Sequence, residues 1–138
     1  MKKLIVAAGI LAAISGCDKV DKSICWSPET KTSVDALVAA QGNDIKTLIQ
    51  SYFDTRNIRV FFGSVDVNMK QTDFSLEKVD SETGYADCSF ALAVEAKYNA
   101  GAVLNGVGRV RFSSRVGEHG RYIALSKSDI PPVISSMK

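Results

Sequence analysis

The chain has 138 residues, with 17 Lys and Arg against 15 Asp and Glu and a formal charge of +2. That length suits one domain with one core and is short for two. The near balance of charge gives no basic surface for holding a nucleic acid. A single histidine and the absence of a Cys-x-x-Cys spacing leave no ligand set for a metal.

Lys2 and Lys3 open the chain, and residues 4 to 14 then form an uninterrupted apolar run with one glycine. The run is too short for a bilayer span, which takes roughly 20 residues, and has the length of the apolar part of a secretory leader. It ends in Ile14-Ser15-Gly16-Cys17, an aliphatic residue, two small ones and a thiol. This box resembles the lipobox of bacterial lipoproteins. There the small residues leave the backbone open to a peptidase, and the thiol accepts diacylglycerol. The resemblance implies that residues 1 to 16 are a signal peptide and that Cys17 becomes the acylated first residue, carrying palmitate-type chains. Several chains, at about 0.8 kcal/mol per buried methylene, make a lasting anchor. In enterobacterial lipoproteins an aspartate after the cysteine retains the protein at the inner membrane. Asp18 therefore implies display on the periplasmic side of that membrane, with the outer membrane as the alternative. Lys2 and Lys3 leave with the leader, so the mature 122 residues carry 15 basic and 15 acidic side chains.

With Cys17 used by the lipid, Cys25 and Cys88 are an even pair in an oxidising compartment, where the simplest outcome is one disulfide. Residues 17 to 24 are short and polar and read as a lipidated tether. Residues 25 to 130 are expected to form the single domain, and Pro131-Pro132 to end regular structure, leaving 131 to 138 as a C-terminal tail.

Ser27-Pro28-Glu29-Thr30 is a helix start, with a capping hydroxyl, proline at the first position and an acid in the first turn. Val34, Leu37, Val38, Gln41, Ile45, Leu48, Ile49 and Tyr52 follow at helical spacing. Gln41-Gly42-Asn43-Asp44 interrupts them, predicting a bend or a restart capped by Asn43. After residue 57 the period changes to two. Ile58, Val60 and Phe62 share a face, a bulge is expected at Gly63-Ser64 before Val65, Val67 and Met69, and residues 74 to 79 form another strand. Asp80-Ser81-Glu82-Thr83-Gly84 has turn chemistry. Cys88, Phe90, Leu92, Val94, Ala96 and Tyr98 alternate with polar and small residues, and strands near 103 to 114 and 122 to 125 complete the series. The pattern is α+β: an N-terminal helix, broken near Gly42, on one face of a four- to five-stranded antiparallel meander. Its element order looks like cystatin-like folds, without any cystatin sequence motif. Gly106 and Gly108 lie on the apolar side of their strand, where missing side chains let a helix approach closely.

Catalytic constellations are lacking. His119 sits in a charged, glycine-flanked turn, no Gly-x-Ser-x-Gly elbow or phosphate-binding glycine loop exists, and the acids form no pair suited to glycoside cleavage. No enzyme activity, cofactor or metal is expected. Residues 113 to 122 resemble the Ser-Gly-Arg-Tyr-type loop of membrane-bound lysozyme inhibitors, but they carry extra residues, and an N-terminal helix departs from that family's all-strand barrel. The expected function is a lipid-anchored periplasmic module that binds or inhibits a protein, as immunity and exclusion proteins do. The alternative is a structural accessory of an envelope or secretion assembly. If Phe90, Leu92 and Val94 face the helix, then Ala91, Ala93, Glu95, Lys97, Val107, Arg109 and Arg111 face outward. Tyr122 joins them if Ile123 and Leu125 point inward. Arg109, Arg111 and Tyr122, residue types enriched at interfaces, are the candidate partner-binding residues. Trp26, beside Cys25, is a further candidate binding aromatic, with packing over the disulfide as its simpler role.

Overall fold

The computed structural model describes residues 22 to 60 and 65 to 138. The leader, the lipobox with Cys17, Asp18, and the expected bulge at Gly63-Ser64 with Phe62 lie outside the described residues. The domain begins with a short 3-10 turn, Lys22–Cys25, whose Ile24 packs on the core, so the last residues assigned to the tether belong to the fold.

Helix α1, Pro28–Ala40, starts as its residues dictate. Ser27 Oγ accepts from the Thr30 N–H at 3.2 Å, Pro28 sits where no N–H is needed, and the Thr30 hydroxyl donates to the Ile24 carbonyl at 2.6 Å. Thr30, Val34 and Val38, four apart, form its buried stripe. Helix α2, Gly42–Thr55, buries Ile45, Ile49 and Phe53 at the same spacing. The chain breaks between the helices as expected, but Gln41 is the junction residue. Asn43 lies inside α2, where its carbonyl accepts from the Thr47 hydroxyl instead of its side chain capping the start.

Strands β1 (Val65–Val79), β2 (Ala86–Tyr98), β3 (Ala102–Gly117) and β4 (Gly120–Leu125) form one antiparallel sheet in sequence order. Of the strand expected from Ile58 to Met69, residues 58 to 60 are not in a strand, and the part from Val65 is continuous with the strand expected at residues 74 to 79. Core-facing residues are odd-numbered at Val65, Val67 and Met69 and even-numbered at Phe74 and Leu76. A bulge reconciles the two: the register with β2 slips between Thr72 and Ser75, where Asp73 takes φ +54°. One extra residue reverses which face the following side chains occupy. A second slip between Leu76 and Lys78 returns Val79 to the core side opposite Ala86.

The helices and the apolar face of the sheet share one core, centred on Phe53, Phe90, Leu92, Val94 and Val110. Phe74, Phe90 and Phe112 meet there as neighbouring rings, with centroids 5.4 to 6.2 Å apart. Cys25 and Cys88 form a disulfide with Cα atoms 5.6 Å apart, closing a separation of 63 residues and tying the N-terminal turn to the central strand.

The C-terminal segment departs from expectation. After the turn Lys127–Asp129, residues Ile130–Ser135 form helix α3, with Pro131 and Pro132 in its first turn, where missing N–H groups cost nothing. Ile130, Val133, Ile134 and Met137 are buried in the main core, so residues 131 to 138 are an integral layer and no tail. Gly106 and Gly108 do admit a helix closely, but it is α3: a Cβ at Gly106 would lie 2.4 Å from the Val133 carbonyl oxygen. Lys138 then exchanges two backbone hydrogen bonds with Asn105, and Tyr52 donates its hydroxyl proton to the Met137 carbonyl.

Candidate functional site

All three helices pack on one face of the sheet, leaving the other face open. Strand alternation decides what that face carries. Rows run across it from β1 to β3: Asn68, Glu95 and Asn105; Lys70, Ala93 and Val107; Thr72, Ala91 and Arg109. The central strand contributes alanines while its neighbours contribute longer side chains, so the middle of the face is sunken. The depression has a volume of about 740 Å³, with Ala93 in its floor, Lys70 and Val107 on its sides and Ser136 and Lys138 at one end. Val107, on the stretch of β3 that β4 does not cover, is 62% exposed, a high figure for an aliphatic side chain.

Beside the depression the face is polar and tightly bonded. The Asp73 bulge brings its carboxylate to Arg109, whose Nη1 donates to Asp73 Oδ2 at 2.8 Å. Arg109 Nη2 donates to Ser75 Oγ at 2.9 Å and to Ser89 Oγ at 2.7 Å. Ser89 in turn donates to Glu77 Oε2 at 2.5 Å, and Ser75 donates to the same oxygen at 3.2 Å. These hydroxyls, Ser89 foremost and then Ser75, with Arg109 adding its charge, hold the Glu77 carboxyl below the usual glutamate range. Ser89 is only 2% exposed beneath this cluster, so its bonding fits a clasp across β1, β2 and β3.

The three candidate partner-binding residues all lie on the outward side, in differing states. Arg109 is committed to the clasp. Arg111 makes a two-pronged contact to Asp129, with Nε and Nη2 each 2.8 Å from a carboxylate oxygen, while its backbone N–H donates to the same group at 2.9 Å. The Arg111 side-chain bond, then its backbone bond, lowers the Asp129 carboxyl below the usual aspartate range, outweighing partial burial, and Asp129 raises Arg111. This pair pins the turn before α3 to the edge of β3. Tyr122, 44% exposed, lies across Gly117 with the Arg115 guanidinium 5.1 Å from its ring centroid. Arg109 and Arg111 are therefore held by partners within the chain, and Tyr122 stands at the far end of the face, opposite the depression.

His119 is 82% exposed in the β3–β4 turn, with its Nε2 3.7 Å from Glu118 Oε2. Trp26 is partly exposed beside the disulfide. Among the described residues no group of three His, Cys, Asp or Glu side chains gathers in a metal-binding arrangement. No family model, curated protein or solved structure matches this chain.

Lys70, Asn68 and the C-terminal Ser136 and Lys138 are site residues beyond those the sequence pointed to. Asp66, Asn68, Lys70 and Thr72 do alternate with Val65, Val67, Met69 and Gln71, and that period of two places the polar set outward. Nothing in the sequence brings Ser136 and Lys138 beside them, because that depends on how α3 docks.

Proposed function

We propose that the chain is a lipid-anchored periplasmic lipoprotein, acylated on Cys17, that binds or inhibits another protein through the open face of its sheet. The observation that carries this reading is the sunken patch around Ala93 and Val107. Its small floor and exposed aliphatic side chain offer apolar area to a partner, and a charged rim surrounds it. The clasped Arg109 beside it supplies a rigid border, which lowers the entropy lost when a partner docks. A leader ending in Ile14-Ser15-Gly16, followed directly by Cys17, supports the anchoring.

A photo-crosslinking residue at Val107 of the full-length protein, in living cells, should give protein adducts, while the same group at exposed Thr47 on α2 should not. Val107→Glu should weaken capture of the crosslinked partner at least about tenfold, or 1.4 kcal/mol, with folding unchanged. Equal adducts from both positions, or none from Val107, would move the site off this face. Cys17→Ser should abolish incorporation of labelled palmitate, and continued labelling would refute the anchor.

A further inference from the structure

We propose that two copies of this chain pair through β1, antiparallel about a two-fold axis at Asn68, to make one continuous eight-stranded sheet. The argument starts at the opposite edge. Asn105 gives and receives both of its backbone bonds with Lys138, so its N–H and C=O point away from β2. In an antiparallel ladder each residue directs both groups to one side, and successive residues alternate. Glu95, opposite Asn105, therefore directs its groups to β1, where it meets Asn68. It follows that Val65, Val67, Met69 and Gln71 turn their N–H and C=O groups outward. Among the described residues none of these four makes a backbone bond on that side. The Val65, Val67 and Met69 side chains are also only partly buried, at the rim of the core.

Charge selects the occupant and its register. Asp66 and Lys70 both stand on the open face, and among the described residues neither has an ion-pair partner. Setting Asn68 opposite Asn68 of a second copy places each Asp66 opposite the other copy's Lys70. The same setting places Val67 opposite Met69 and Val65 opposite Gln71, joining the outward-pointing backbone groups of both. A centre at Asp66 or at Lys70 would oppose like charges, and a centre at Val67 or Met69 would leave the charges unmatched. The register uses residues 65 to 71, and the Asp73 bulge bends the strand just beyond. That bulge limits the pairing to one closed, self-complementary contact and prevents open-ended stacking.

Sedimentation and native mass spectrometry of the full-length protein in detergent test this. The wild type should be a dimer. Lys70→Asp and Asp66→Lys should each raise its dissociation constant on the order of tenfold, and the double exchange should restore it. Asn68→Cys provides a second readout that leaves both charges in place. Facing residues at this kind of site lie about 4.5 Å apart at Cα, within disulfide reach. Mild oxidation should therefore link two copies through residue 68, whereas Thr72→Cys, far from its symmetry mate, should not link. A monomer at every concentration, single reversals without effect, or linking at 72 as readily as at 68 would overturn the proposal.

Discussion

Replacing Gly106 with alanine probes the least expected feature of the fold, the docking of α3 on β3. The added Cβ would fall 2.4 Å from the Val133 carbonyl oxygen and 2.7 Å from Met137 Cγ. Restoring even a 3.0 Å approach requires the Val133 backbone to retreat by 0.6 Å, the difference between 3.0 and 2.4. A gap of that size forfeits about a quarter to a half of the local dispersion contact. Applied to two buried side chains worth about 2 to 3 kcal/mol each, this costs about 1 to 3 kcal/mol, the usual range for overpacking. Removing a glycine from a strand interior returns about 0.5 to 1 kcal/mol. The net expectation is a loss of roughly 0 to 2.5 kcal/mol, centred a little above 1 kcal/mol, and each kcal/mol lowers the melting temperature by roughly 4 to 8 °C. Gly108→Ala is the internal control. Its Cβ meets a single Val133 methyl at 3.0 Å, which a slight side-chain shift relieves, so its stability should stay within about 0.5 kcal/mol of the wild type. Urea and thermal unfolding followed by circular dichroism measure both. If Gly106→Ala proved as stable as Gly108→Ala, α3 would not lie where it is described, and the C-terminal residues would be a tail after all.

The Cys25 to Cys88 disulfide should appear as a linked peptide pair in nonreducing mass spectrometry. Its loss in the Cys25→Ala/Cys88→Ala double variant should cost about 4 kcal/mol, the chain-entropy value for a loop of this length; free thiols alkylated without prior reduction would contradict the bridge. Asp129 and Glu77 titrate below their usual ranges when folded, so the unfolded chain takes up their protons first on acidification. Their stabilisation is complete above about pH 5 and is lost as pH falls through 4 toward the depressed folded values. Asp129→Asn should lower stability at pH 7 by about 1 kcal/mol, a modest figure because Arg111 is 68% exposed and screened, although Asp129 is only 16% exposed. It should also make stability less steep between pH 5 and 3, and an unchanged acid slope would show that the Arg111 contact is not formed in solution.

Local rules carried much of the architecture. Ser27 and Pro28 start α1 because capping needs only near neighbours, and the alternation from Cys88 to Tyr98 identifies the central strand because both of its faces are specified by residues two apart. The outward placement of Val107, Arg109 and Arg111 followed from the same period. Other features depended on contacts that no local pattern records. The apolar residues of β1 change parity between Met69 and Phe74, which locally resembles two strands, and only pairing with an unbroken β2 makes them one strand with a bulge at Asp73. Pro131-Pro132 resembles a stop signal, yet two prolines also fit a helix's first turn. The choice rested on whether Gly106 and Gly108, some 25 residues earlier, left a groove for Val133 and Met137 to fill. Arg109 and Arg111 look free in the sequence because their partners, Asp73 and Asp129, are 36 and 18 residues away. Composition and spacing thus determined which residues face in and which face out, since that is set within a turn or a strand. The tertiary structure decided which outward residues are already taken and which remain open to a partner, because that depends on groups brought together from distant parts of the chain.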